Sequence, residues 1–135
     1  MNYPQTILLT DDEAHIRKFI GLVLKQFDNP RIIEAADGAA AVQLYQQEKP
    51  DLVLMDVNMP KMDGIQALAE IQRLDPNALV IMLTSLTNRQ TVEECARLGA
   101  VDYIRKDTPR DELTAQFERI IADCFGEQEE TAHVP

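Results

Sequence analysis

Apolar residues in this chain keep two rhythms that alternate from one end to the other. Short runs occur at Thr6–Thr10, Arg31–Ala35, Leu52–Met55, Leu79–Leu83 and Val101–Ile104. Each has the length of a strand, and the unbroken Leu-Val-Leu-Met run fits a strand buried on both faces. Between them the spacing turns helical. Ile16, Phe19, Ile20, Val23, Leu24 and Phe27 form one stripe, and Ile65, Leu68, Ile71 and Leu74 form another. Val92, Cys95, Ala96 and Leu98 share a face, as do Leu113, Phe117, Ile120, Ile121 and Cys124. An Ala-rich helix is predicted from Asp37-Gly38 through Gln47. Asp28-Asn29-Pro30, Pro50 and Asp75-Pro76 supply breaks, and Gly99 and Gly126 stand at helix ends. Thr108-Pro109 reads as an N-cap followed by Pro at the first helical position, with Asp111 placed for a capping box.

Five strand–loop–helix units in succession predict an α/β fold: a parallel sheet with helices on both faces and right-handed crossovers. No internal sequence repeat accompanies the structural one. At 135 residues, 45% of them hydrophobic, one doubly wound domain accounts for the chain. Glu127–Pro135 is polar and acidic and reads as a frayed tail or the start of a linker, leaving 5–125 as the domain and 126–135 as the tail.

Charge narrows the function. The net charge of −10 argues against nucleic acid and anionic membrane as direct partners, and suits a protein that holds cations or docks on basic partners. Cys95 and Cys124 lie on apolar helical faces without metal-ligand spacing, so both read as reduced, buried thiols. Asp11 and Asp12 interrupt the first apolar run too early for a signal peptide, and no stretch reaches transmembrane length, so a cytoplasmic protein is expected.

The chemistry collects at the strand ends. In a doubly wound sheet, ligands bind beyond the carboxyl ends of the strands. Those ends carry Asp11 and Asp12, Asp56, Thr84 and Lys106. Three carboxylates brought together repel, and a hard divalent cation such as Mg²⁺ relieves them. Lys106 is a point charge suited to a phosphate, and Thr84 offers a hydroxyl. Other readings lack their parts. No GxxxxGK or GxGxxG loop follows the first strand, no GxSxG elbow occurs, and of the two histidines His15 sits on a helix and His133 in the tail.

Taken together, Asp11-Asp12, Met55-Asp56, Met59-Pro60-Lys61-Met62-Asp63-Gly64, Thr84-Ser85 and Lys106 resemble the receiver domain of bacterial two-component response regulators, over about residues 5–125. The resemblance implies a flavodoxin-like (βα)₅ fold with strand order 2-1-3-4-5. It implies Asp56 as phosphoacceptor from a histidine kinase or phosphotransfer protein. Mg²⁺, with Mn²⁺ as a substitute, would be held by Asp12, Asp56 and the Asn58 backbone carbonyl, with Asp11 acting largely through water. Thr84 would bond a phosphoryl oxygen, Lys106 would pair with the phosphoryl group, and Tyr103 would be the aromatic switch.

The output surface implied is the face of the fourth helix, fifth strand and fifth helix, with Arg89, Arg97, Tyr103 and Arg105. A second copy of the chain is an open alternative as partner. A protein of this kind assists its own phosphorylation and dephosphorylation but is not an enzyme acting on an external substrate. One departure stands out: the family usually has Pro after the lysine, whereas Asp107 follows Lys106, which leaves that peptide's isomer open and places a carboxylate able to neutralise Lys106 in part. Leu86 is an apolar group positioned to restrict a hydrolytic water. Three settings remain: a stand-alone switch acting on a protein partner, a receiver from a larger transcriptional or second-messenger regulator, and a receiver-like scaffold that takes no phosphate.

Overall fold

A computed structural model of the protein describes residues 2–85 and 88–126. Leu86 and the Glu127–Pro135 tail, on which two of the sequence expectations fall, lie outside the described residues. The elements run β1 (Thr6–Thr10), α1 (Ala14–Leu24), β2 (Arg31–Ala35), α2 (Gly38–Glu48), β3 (Leu52–Asp56), α3 (Gly64–Leu74), β4 (Val80–Thr84), α4 (Arg89–Arg97), β5 (Asp102–Arg105) and α5 (Arg110–Phe125). The strands form one parallel sheet in the order β2-β1-β3-β4-β5, so the flavodoxin-like expectation is met.

Strand pleating divides the core in two. Ile7 and Leu9, Leu52 and Leu54, Ile81 and Leu83, and Ile104 pack with Ile20, Val23, Leu24, Leu113, Phe117, Ile120 and Ile121 of α1 and α5. Leu8, Val53, Met55, Val80 and Met82 face the other way, onto Ala41 and Tyr45 of α2, Ala67, Leu68 and Ile71 of α3, and Cys95 of α4. Every residue of β3 and β4 is buried. Both cysteines are free thiols, Cys95 buried and Cys124 half-buried.

Element ends follow local chemistry. Asp28 and Asn29 take left-handed φ values of 66° and 49° after α1, a conformation that Asn and Asp tolerate better than most residues. The helix stops at Leu24, and Phe27 reaches the core from the turn beyond it. Asp37 caps α2 through Ala40 N, and Asp63 and Gln66 close a reciprocal capping box on α3. Gly99, at φ 103°, follows α4 as the sequence indicates.

Three expectations are corrected. β4 and β5 begin one residue later than their apolar runs, because pairing rather than hydropathy sets the ends: Ile81 pairs with Asp102, and Thr84 with Arg105. Thr108 does not cap α5. Its hydroxyl donates to Arg105 O at 2.7 Å, Pro109 occupies the N-cap, and the Pro109 carbonyl accepts from Leu113 N. Asp111 therefore lies in the first turn beside Glu112, where negative charge complements the helix dipole without a capping box.

Candidate functional site

Strand register places the chemistry. Asp11 N donates to Ala35 O, Val57 N to Leu83 O, and Lys106 N to Thr84 O, so the ladders run just past each strand end. Asp11, Asp56 and Lys106 share the pleat side of Ile7 and Leu9, Leu52 and Leu54, and Ile104 respectively. All three therefore project above the α1/α5 layer. Thr84 has the parity of Val80 and Met82 and sits at the tip of β4, 2% exposed.

The carboxylates of Asp11, Asp12 and Asp56 each offer an oxygen to a cluster whose atoms lie within 4.8 Å of one another. Asp11 and Asp56 are buried and Asp12 is exposed. At that separation and an effective dielectric of about 20, two carboxylates repel by about 3.5 kcal/mol. Lys106 offsets part of this. Its side chain is 8% exposed, and the ammonium is 2.8 Å from Asp11 Oδ2, 3.2 Å from Glu13 Oε1 and 3.3 Å from Asp56 Oδ2. The Asp11 contact, the shortest of the three, is a buried ion pair.

Protonation equilibria register the crowding. Burial, then the Asp11 charge, pushes the Asp56 carboxyl up to about 6, against the opposing pull of Lys106 and the Asn58 N–H. For Lys106, burial acts to lower the pKa, but Asp11, Asp56 and Glu13 outweigh it and hold the ammonium charged well above the ordinary lysine range. Two buried carboxyl groups, Asp11 and Asp56, with a third at the rim, Asp12, make an all-oxygen donor set. It fits a hard dication, which can be held by Asp11, Asp12 and Asp56.

The surrounding loops are pinned through backbone. Asp11 Oδ1 accepts from Glu13 N at 2.8 Å, and Arg17 Nη1 donates to Asp11 O at 2.6 Å while its Nε bonds Glu34. Asn58 N donates to Asp56 Oδ1 at 3.3 Å. Gly64 N donates to Val57 O and Gly38 N to Met62 O, and Lys61 takes a left-handed φ of 68° to complete the loop. A Cβ on Gly64 would lie 1.9 Å from Asp56 O, and one on Gly38 2.2 Å from Met62 O.

Asp11, Asp12, Asp56 and Lys106 thus converge as their sequence positions indicate, with Asn58 beside them and Thr84 on the neighbouring strand end. Tyr103 is set apart, half-buried against the second core cluster on β5, opposite Met82. Two features differ from the sequence reading. Asp107 does not neutralise Lys106: it forms a two-pronged pair with Arg105, at 3.0 and 2.7 Å. Its peptide with Lys106 is trans, no described peptide being cis. Glu13, given no role from sequence beyond being an acid at the strand tip, supplies the third carboxylate on Lys106.

The strand order and the acidic cluster make this a doubly wound parallel α/β domain with an acid-lined crevice at its strand tips, and comparison specifies the family. Residues 7–118 match the family described as response regulator receiver domain. The chain is 36% identical to chemotaxis protein CheY of Listeria monocytogenes over 113 residues, covering 84% of this chain and 95% of that one. It is 36% identical to the transcriptional regulatory protein PdtaR of Mycobacterium tuberculosis over 121 residues, covering 88% of this chain and 58% of the longer relative. In the crystal structure of the CheX-CheY-BeF3-Mg+2 complex from Borrelia burgdorferi, a chain 33% identical superimposes with a TM-score of 0.81, over 87% of this chain and 90% of that one. The chain belongs to the response regulator receiver domain family. Members are phosphoacceptor signalling domains of two-component systems, bind Mg²⁺ at their acidic pocket, and interact with histidine kinases and output partners. Among the described residues, no helix is long and apolar enough to cross a membrane.

Proposed function

We propose that this chain is a phosphorylation-driven switch in which Asp56 accepts a phosphoryl group from the phosphohistidine of a kinase or phosphotransfer protein. The observation that carries the reading is the convergence of Asp11, Asp12 and Asp56 within 4.8 Å, with the Lys106 ammonium upon them. An Asp56 carboxylate oxygen attacks phosphorus, the P–N bond breaks, and the imidazole leaves with its electron pair and takes a proton. Asp12, Asp56 and the Asn58 carbonyl would hold Mg²⁺, or Mn²⁺ in its place, with Asp11 acting through water, and the ion would supply positive charge to the phosphoryl oxygens. The rest is positioning and electrostatics by the chain. Lys106 pairs with the transferred group, and the Thr84 hydroxyl donates to one of its oxygens.

Phosphorylation adds about −1.5 to −2 charge units at the strand tip. Inverting a two-state equilibrium from 1:99 to 99:1 takes about 5.5 kcal/mol, and charge-assisted hydrogen bonds from Thr84 and Lys106, about 1.5–3 kcal/mol each, supply most of it. Drawing Thr84 inward moves the segment before α4, and Tyr103 follows into the space released. The readout is the α4–β5–α5 face, where a groove of about 190 Å³ is lined by Val92, Cys95, Ala96, Val101 and Tyr103. Arg89, Arg97 and Arg105 border that face. The matches to CheY and to the longer PdtaR support two settings for the output, a separate protein or an attached domain.

The test is intact-mass analysis after incubation with acetyl phosphate, with and without Mg²⁺, on the wild type and Asp56→Asn. A single Mg²⁺-dependent phosphoryl adduct, absent from the variant, is expected. An adduct that persists in Asp56→Asn assigns the acceptor elsewhere, and no adduct under any condition leaves the scaffold reading standing.

A further inference from the structure

Glu13 is the N-cap residue of α1, and its carbonyl accepts from Ile16 N and Arg17 N. Its side chain makes no capping bond. The carboxylate instead reaches Lys106, 93 positions away in sequence, at 3.2 Å. Three acids thus share one ammonium, but they are not equivalent. Asp11 and Asp56 are buried and belong to the cluster that suits a dication. Glu13 is outside that cluster, and its side chain is 48% exposed. A dication and Lys106 therefore compete for Asp11 and Asp56, while Glu13 is a seat for the ammonium that the dication leaves alone.

We propose that Glu13 is a positioning residue for Lys106: it is the carboxylate onto which the ammonium withdraws when Asp11 and Asp56 turn to a divalent cation. The role rests on the reading of the acidic pocket as an Mg²⁺ site. On a side chain only 8% exposed, an ammonium displaced from two carboxylates is unfavourable if it stays buried without a partner. With Glu13 already in contact, the displacement is a short swing of the lysine's terminal bonds. The charge stays paired and stays at the rim, where an incoming phosphoryl group meets it. Glu13 thereby assists metal entry through Lys106, beyond the general attraction of one more negative charge.

A double-mutant cycle separates these contributions. Calorimetric titration with MgCl₂ at fixed ionic strength compares wild type, Glu13→Gln, Lys106→Met and the double variant, each checked for folding by circular dichroism. If Lys106→Met does not fold, Lys106→Gln replaces it. Glu13→Gln is expected to weaken Mg²⁺ binding at least about five-fold when Lys106 is present and less than about two-fold when it is not. Equal losses in both backgrounds would reduce Glu13 to a bulk charge and overturn the proposal, as would no loss in either. A wild type that binds no Mg²⁺ would overturn both this role and the pocket reading beneath it, an outcome distinct from a wild type that binds and shows no coupling.

Discussion

At Asp56, a single carboxyl links folding to the proposed phosphoryl transfer. Its pKa in the folded protein, about 6, lies above the ordinary 3.8, chiefly because it is buried and next because Asp11 is beside it. Between those values the folded chain holds a proton more tightly than the unfolded chain. This group's contribution to stability is therefore full below about pH 4 and falls as pH rises through 6. Asp56→Asn removes the ionisation. In EDTA at pH 7.5 the variant is expected to be more stable than wild type by about 1–2 kcal/mol, the advantage shrinking as pH falls from 6 toward 4. Urea titrations across that range check it, and a difference that does not change with pH would refute the assignment. The same crowding would favour a dication at this pocket, since the ion would supply positive charge beside the carboxylates.

Among elements, the β3–α3 connection is tightly constrained, since backbone lies directly on backbone. A Cβ at Gly64 would fall 1.9 Å from Asp56 O and 2.9 Å from Val57 Cα, and neither main-chain atom can rotate away. Gly64→Ala is expected to destabilise the protein by at least about 2 kcal/mol and to lower the rate of acetyl-phosphate labelling. Denaturation and mass analysis of the same samples check both, and an Ala variant of wild-type stability would show that the loop can move off Asp56. This loop was visible in sequence as a Pro/Gly-punctuated stretch after an apolar run. So were the strands ending at Thr10 and Ala35, because apolar runs and pairing coincide there. They diverge at Val101, which is 40% exposed although apolar, while polar Asp102 and Arg105 enter the ladder. Thr108 looked like a cap by composition, yet a hydroxyl has several backbone partners within reach, and the Arg105 carbonyl is the one it bonds. The Glu13–Lys106 and Arg105–Asp107 contacts depend on which way long side chains turn, and no spacing rule encodes that.

For the whole molecule, the acidic pocket ties β1, β3 and β5 together at one edge of the sheet, so occupancy there is felt by the entire fold. A ligand that binds only the folded state adds about 2.7 kcal/mol of stability at 100 times its dissociation constant. Millimolar Mg²⁺ is expected to raise the melting temperature of wild type in a saturable way, and Asp12→Asn to remove most of the increase. Thermal melts across a Mg²⁺ series at constant ionic strength check this. An increase of equal size in the variant would assign it to salt in general.

The contact of Gly64 with the Asp56 carbonyl also bears on how such a domain can diversify. The acid-lined edge is built from strand ends and main chain packed too closely for an added Cβ, and few substitutions are admitted there. The outer faces of α1, α4 and α5 carry no such restriction. Recognition can therefore be rewritten on the helices, residue by residue, while the reaction beneath them stays the same. A cell can run many copies of one phosphoryl exchange side by side, kept apart only by what each copy presents on its surface.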